Sequence, residues 1–431
     1  MMSTREAPGK ARVLFLSGLQ IHPTRSGGNL RSFALANALK HHGLEVLVYS
    51  LVGRKNDYLA WRPSSIQTWP EGIEEYVDRG ALGFVAQYGS YGLGLPPVWI
   101  TSYLRAAVAS PREMLLPALL REKLAWCDTV VADFPFVHPI IAAASARGRL
   151  CVLSTHNVEH HLYDDRSRWQ NRWMRGAVRN IELSAAAACD ILVSCCSGDK
   201  QFFEAHARVG RSILVPNGID VRRFRGIDEQ RAGTRQALGI PEDTKLFLFT
   251  ASKYGPNREA VDYLLGFARA HGRFLGERAI HILVVGNVVA EPIRLPGFTA
   301  TGKVDVVEPY FAAADAALNP LCSGSGTNVK MSEFIAARLP IVTTPFGARG
   351  FRIEDGRTGF LFERDGLAPI LSTVRGLFGD HPVRLRQVAE EAYAQNESAT
   401  DMDVCIRPLV EALADGPHQT VTPGGGPASK A

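Results

Sequence analysis

Lys330 and Glu333 stand three positions apart behind Gly324-Ser-Gly-Thr-Asn328, the densest grouping of potential chemistry in the 431-residue chain. Helical spacing from Thr327 to Arg338 would put Gly326, Lys330, Glu333 and Ala337 on one face, with Met331, Phe334 and Ile335 on the other. One face then packs. The other presents a cation, a carboxylate and the unpaired N–H groups of a helix start. Those N–H groups and the positive end of the helix dipole suit a phosphate. A carboxylate further along suits the paired hydroxyls of a ribose. The stretch reads as a nucleotide-diphosphate cradle made by the backbone of Gly324, Ser325, Gly326, Thr327 and Asn328, backed by Lys330 and Glu333. The competing reading is a solvated Lys–Glu pair after an ordinary glycine turn, because glycine loops are weak motifs.

A second constellation is Thr155-His-Asn-Val-Glu-His-His161, which follows the apolar run Leu150–Ser154. Ligands in open α/β sheets bind beyond the carboxyl ends of strands, so His156 is placed to hydrogen-bond a substrate. His156 and His160 are spaced i,i+4, but the H-E-x-x-H pattern is absent and no cysteine or aspartate nearby completes a set. No metal site is assigned. Cys195 and Cys196 read as buried thiols. Gly27-Gly28 follows the first apolar run and either lets backbone approach a ligand or makes a tight turn. Arg168, Arg172, Arg175 and Arg179, spaced 4, 3 and 4 and flanked by Trp169 and Trp173, form a basic stripe. It is either a solvated arginine face on a packing helix or a surface for anionic lipid. Asp401-Met-Asp403 is expected inside a C-terminal helix, which argues against a metal-dependent transferase site there.

The elements that must position these residues alternate. Strands are expected at Arg12–Ser17, Leu44–Ser50, Thr129–Asp133, Leu150–Ser154, Ile191–Ser194 and Ser212–Val215. A second series follows at Leu246–Thr250, Ile280–Val285, Phe298–Gly302, Ala316–Asn319 and Ile341–Thr344. Helices are expected between them, including Leu30–His42, Trp99–Ala109, Arg112–Leu124, Asp164–Cys189, Arg258–Ala270 and Thr327–Arg338. This is α/β: two Rossmann-like domains, expected to face each other across a cleft. The expected boundaries are a disordered start over 1–11, a first domain over 12–215 and a nucleotide-binding domain over 216–385. C-terminal helices over 386–415 would pack back on the first domain, and a disordered tail covers 416–431. The first loop lacks G-x-G-x-x-G, which disfavours a dehydrogenase.

Composition narrows the class further. A net charge of +5 fits small anionic ligands or a lipid surface and is only weak evidence for nucleic acid, which is not expected as a partner. Seven scattered cysteines without framework spacing, and no leader, lead to the expectation of a reducing cytosol. No apolar run reaches the roughly 18–20 residues a membrane helix needs.

Val215-Pro-Asn-Gly-Ile-Asp220 at the crossover, the His156 loop and the 321–344 stretch together resemble glycosyltransferases of the GT-B fold. The nearest group is the large retaining one, family 4-like, also called group 1 sugar transferases. The likeness covers about residues 12–395. Gly-Thr-Asn-x-Lys-x-x-Glu and Tyr254-Gly-Pro-Asn257 resemble the subset that builds bacterial surface polysaccharide. The resemblance implies a nucleotide-sugar donor in the second domain, with no cofactor, and a glycan or lipid-linked acceptor. It places Glu333 on the ribose, Gly324 to Asn328 on the diphosphate, Gly27 and Gly28 opposite, and His156 beside the transferred sugar. It also implies a cytoplasmic protein, peripheral at the membrane through the arginine stripe. Two departures stand out. The family's first glutamate of a pair eight apart falls at Ser325, and its Arg and Lys after the first strand of the second domain fall near Ser252 and Asn257. Lys253 and Lys330 are the replacement cations. A nucleotide-sugar epimerase of the same fold and a non-catalytic nucleotide-sugar-binding protein remain alternatives.

Overall fold

Uniform apolar runs such as Val13–Leu16, Val130–Ala132 and Cys151–Leu153 are fully buried, as strands covered on both faces must be. The computed structural model describes residues 10–24, 27–53, 62–80, 98–163, 169–324 and 328–416. The chain forms two α/β units and passes from one to the other at Leu214–Val215.

The first unit holds an eight-stranded sheet. Its strands are β1 (Arg12–Ser17), β2 (Glu45–Ser50), β3 (Ser65–Thr68), β4 (Glu74–Val77), β5 (Thr129–Ala132), β6 (Leu150–Ser154), β7 (Ile191–Ser194) and β8 (Arg211–Leu214). Their order is β3-β4-β2-β1-β5-β6-β7-β8. All pairs are parallel except β3 with β4. Strand order reverses at β1/β5, so the crevice beyond the carboxyl ends there is the expected ligand position. Leu14, Leu16, Val130, Ile140, Leu153, Leu192 and Phe203 share its core.

The second unit repeats the logic with seven strands: β9 (Lys245–Thr250), β10 (Ile280–Val285), β11 (Ile293–Leu295), β12 (Phe298–Ala300), β13 (Ala316–Asn319), β14 (Ile341–Thr343) and β15 (Phe360–Leu361). Their order is β11-β12-β10-β9-β13-β14-β15, with only β11/β12 antiparallel. On β9, Phe247 and Phe249 enter one apolar cluster while Leu246 and Leu248 enter another. This period of two buries both faces. The switch point lies at β9/β13, between the loops that begin at Ala251 and Pro320.

The units differ from the expected domains in composition. Residues 21–38 group with the second unit, as do the helices up to Ile406, whereas the described residues from Arg407 on group with the first. Arg31 shows why 21–38 belongs there. It is 2% exposed, and its Nη1 donates to Val215 O (3.0 Å), Pro216 O (3.1 Å) and Asn217 Oδ1 (2.7 Å).

Several element boundaries also shift. The expected helix Arg112–Leu124 is instead a 3-10 turn, Pro111–Glu113, and a helix, Ala118–Trp126. Arg112 (φ 51°) and Glu113 (φ 54°) leave the helical region, and Pro117 precedes the new start. The edge pair β3/β4 had no apolar alternation to announce it, since Ser65–Thr68 is mostly exposed. The helix expected over Arg258–Ala270 begins at Gly255, with Pro256 in its first turn, where no N–H is needed; the backbone leaves the helical region at His271 (φ −123°), just after the expected end, and a further helical stretch continues to Glu277. Among the described residues no helix is long and apolar enough to cross a membrane.

Candidate functional site

The helix Val329–Ala336 starts just beyond β13, at the switch point of the second sheet. It is shorter than the expected Thr327–Arg338. Met331, Phe334 and Ile335 are buried as the spacing required, which turns Lys330 and Glu333 to the other side. Lys330 Nζ donates to Asn257 Oδ1 at 2.6 Å and lies 4.3 Å from the Phe249 ring centroid. Asn257 is itself held by Nδ2 donation to Ser252 O at 2.9 Å. The helices that follow β9 and β13 therefore meet through their first turns, at Asn257 and Lys330. Burial pushes the Lys330 ammonium down to about 7, against the opposing pull of Glu333. Burial raises the Glu333 carboxyl; Arg223 opposes that rise, and Glu308 adds to it.

Arg223 was not anticipated. It sits in the 3-10 turn Val221–Phe224, just after the Val215–Asp220 crossover. Its Nη2 is 2.6 Å from Glu308 Oε1, and its Nη1 is 3.8 Å from Glu333 Oε1. Arg349 is the other missed cation: exposed, stacked on Phe346 at 3.5 Å, with Nη2 donating to Gly324 O at 3.3 Å. Neither residue carries a motif. Arg223 lies before the second sheet begins, and Arg349 lies after β14, far in sequence from the glycine loop. The only available signal was an arginine close to a strand end or a crossover.

The remaining donor-side residues are flanking. Lys253 is exposed, and among the described residues its ammonium makes no ion pair. Gly324 has φ +130°, backbone that favours glycine. Asn328 is the N-cap of the 329–336 helix, and its Nδ2 donates to Gly347 O at 3.4 Å. Ser325, Gly326 and Thr327 lie outside the described residues. Gly347 must be glycine, since a Cβ would stand 2.5 Å from Thr343 Oγ1 and 2.7 Å from Asn319 Nδ2. Gly27 and Gly28 are the first residues of the helix Gly27–His41, not a loop before it. The Gly28 carbonyl accepts from Ser32 Oγ at 3.0 Å, an ordinary helical contact.

In the first unit the expected histidine is at a carboxyl-end crevice. His156 follows β6, and its Nε2 pairs with Oδ1 of the fully buried Asp133, just after β5, at 2.9 Å. Phe134 stacks on the ring at 5.0 Å. His160 does not converge on the same point: its Nδ1 is held by Glu182, which also accepts from Glu159 N at 2.8 Å. Burial raises the Glu182 carboxyl to about 8. Folding brings Asp133 to the His156 ring and Cys195 Sγ within 3.1 Å of the His156 backbone O, but among the described residues no group of three metal-type ligands includes either histidine. Cys195 is buried as expected, but Cys196 is half-exposed.

The arginine stripe is less open than a solvated face. Arg175 and Arg179 are half-buried, while Trp173 is 65% exposed. Arg168 is outside the described residues, and the side chains of Trp169 and Arg172 are also outside them. Asp401 caps the short helix Met402–Cys405, its side chain accepting from Asp403 N, so Asp401-Met-Asp403 sits at a helix start and not within one.

With this geometry in view, the chain can be set beside known proteins. The model for Glycosyltransferase Family 4 matches residues 25–223, and that for Glycosyl transferases group 1 matches residues 244–380. The architecture is that of GT-B glycosyltransferases, and the matches support the glycosyltransferase expectation over both units. Among solved structures, Anabaena HepE in complex with UDP-glucose superposes with a TM-score of 0.60 at 17% identity, over 94% of this chain and 99% of that one. Sucrose-phosphate synthase from Thermosynechococcus elongatus gives 0.61 at 14% identity, over 94% and 100%. At that identity these likenesses speak for the fold alone. In sequence, the chain is similar to the D-inositol 3-phosphate glycosyltransferase of Streptomyces avermitilis, 31% identical over 224 residues, 47% of each protein. The Streptomyces scabiei protein of the same name is 32% identical over 206 residues, 43% of this chain and 44% of that protein. The matched region thus spans about half the length of these curated relatives.

Proposed function

We propose that the chain transfers a sugar from a nucleotide-diphosphate sugar to a glycan or lipid-linked acceptor, with retention and without a metal in the donor site. The assembly of bacterial surface polysaccharide or glycolipid is the setting this reading favours. The observation that carries it is the meeting of Asn257, Lys330 and Glu333 at the switch point of the second sheet. A nucleotide placed there has its diphosphate at the start of the 329–336 helix, beside Lys330, with Lys253 and Arg349 on the flanking loops. Glu333 takes the ribose hydroxyls.

Departure of the diphosphate builds negative charge on its oxygens and positive charge at the anomeric carbon. Fixed N–H dipoles and buried cations stabilise the former without reorganising. In a retaining transfer the leaving phosphate oxygen takes the acceptor proton, so no dedicated protein base is required. His156, oriented by Asp133, contributes a hydrogen bond to the transferred sugar.

Uridine diphosphate glucose is the first donor to try, because the Anabaena neighbour was solved with it. Inositol phosphate and extracted lipid-linked glycans are the acceptors to try. The test is a donor panel scored by release of nucleoside diphosphate with and without acceptor. Acceptor-dependent release supports transfer. Conversion of donor without acceptor supports the epimerase. Binding without turnover supports the non-catalytic protein, the reading that Ser325 in place of the family's first glutamate favours.

A further inference from the structure

We propose that Cys195, Cys196 and Asp199 form a site for a thiophilic divalent cation of the zinc class, separate from the donor-binding unit. The three side chains come from the turn between β7 and the helix Ser197–His206. Among the described residues they are the one group of three metal-type ligands whose donor atoms all lie within 4.8 Å of one another. Cys195 Sγ stands 3.7 Å from Asp199 Oδ2. Zinc holds sulfur at about 2.3 Å and oxygen at about 2.0–2.2 Å, so ligand atoms of a tetrahedral site stand roughly 3.3–3.8 Å apart. The Cys–Asp pair already has that spacing, and a small rotation of Cys196 closes the set.

The turn explains how neighbours in sequence can both contribute. Cys195 leaves β7 and is buried, whereas Cys196 is the N-cap of the next helix and half-exposed. Asp199, three residues on, returns across the helix start and donates its N–H to Cys196 Sγ at 3.4 Å. One sulfur therefore forms the floor of the site. The other sulfur and the carboxylate form its open rim, leaving a fourth position for water. Two thiols and a carboxylate favour a soft or borderline cation over magnesium or calcium, which require oxygen ligands. Binding is balanced as two thiols plus one dication giving a bis-thiolate complex and two protons. The site adjoins the His156 loop, because the Cys195 thiol donates to His156 O at 3.1 Å. It takes no part in the donor chemistry proposed above.

Titration of the full chain with cadmium ion, followed by thiolate-to-metal charge-transfer absorbance, tests this without any activity measurement. One equivalent should saturate the band, and zinc should displace it. Cys196→Ser, which removes one of the two thiolates, should diminish the band and weaken binding. Asp199→Asn should keep it but weaken binding by at least about tenfold, the scale on which altered ligand shells weaken metal sites. Cys322→Ser, at the exposed thiol elsewhere, should leave it intact. No band in wild type, a band of full strength and affinity in Cys196→Ser, or one lost in Cys322→Ser would overturn the proposal. Each readout is independent of whether the donor panel shows transfer.

Discussion

Lys330 has an ammonium held near neutrality by burial, so its charge state at the moment of ligand binding is a measurable quantity. Its folded value of about 7 lies below the ordinary 10.5, and between those limits the unfolded chain binds more protons. Stability contributed by this group therefore rises with pH across that window and is lowest below pH 7. A diphosphate reverses the preference by rewarding the charged form. Nucleoside diphosphate binding at pH 8 should take up a fraction of a proton, up to about one, and affinity should fall as pH rises above 7. Calorimetry in buffers of different ionisation enthalpy measures this directly. Equal heats in all buffers, or an unchanged uptake in Lys330→Met, would show that Lys330 does not meet the diphosphate. Glu333→Gln tests the other end of the nucleotide. Replacing a charged acceptor of two hydroxyl hydrogen bonds should weaken donor binding by about 1.5–3 kcal/mol. A folded variant with wild-type donor affinity removes Glu333 from the site.

At the level of elements, the loops at the carboxyl ends of β13 and β14 are tied into one body. Asn319 Nδ2 donates to Gly347 O at 3.1 Å, and Gly347 N donates to Thr344 Oγ1 at 2.9 Å. Gly347→Ala forces a methyl into that junction and should destabilise the protein by about 1–3 kcal/mol, the usual cost of overpacking. Denaturant midpoints measure it, and a change within error would mean the two loops separate freely. The β5 and β6 loops are tied in a similar way by Asp133 and His156. His156→Ala should lower turnover far more than donor affinity if the ring acts on the sugar as it leaves the nucleotide. Asp133→Asn should move turnover in the same direction by a smaller factor. Full activity in His156→Ala returns that histidine to a packing role.

For the molecule as a whole, the proposed lipid-linked acceptor raises the question of how a chain with no spanning helix among its described residues would reach it. The net charge of +5 and the exposed indole of Trp173 make reversible attachment to an anionic surface the proposed route. Each basic side chain close to such a surface adds about 1 kcal/mol, falling with salt. The half-buried state of Arg175 and Arg179 limits how much of the stripe takes part. Co-sedimentation with phosphatidylserine-containing vesicles should fall at high salt and in Trp173→Ala. Absent or salt-insensitive binding would leave only soluble acceptors in play.

Sequence alone determined the central strands of both sheets, because runs such as β9, β13 and β14 are short apolar stretches with turn residues at their ends, whereas the peripheral strands β3, β4 and β11 carry no such signal. It also determined that Lys330 and Glu333 share a face, since Met331, Phe334 and Ile335 claim the opposite one. The resemblance carried by the 321–344 stretch and the crossover pointed to GT-B glycosyltransferases from a few residues, and the fold and the two family-model matches agree with it. Tertiary structure decided the contacts that join residues far apart in the chain. Arg223 reaches Glu308 and Glu333 across 85 and 110 positions, His156 reaches Asp133 across 23, and Cys195 reaches His156 across 39. No periodicity encodes such pairs, because they depend on which strand ends lie side by side. The length of the 255–277 helix and the break at Arg112 and Glu113 were likewise settled by packing and local backbone geometry, which override propensity. Burial did the rest: a lysine whose environment the sequence left open stands beside Phe249 and Asn257, where burial pulls its ammonium down to about 7.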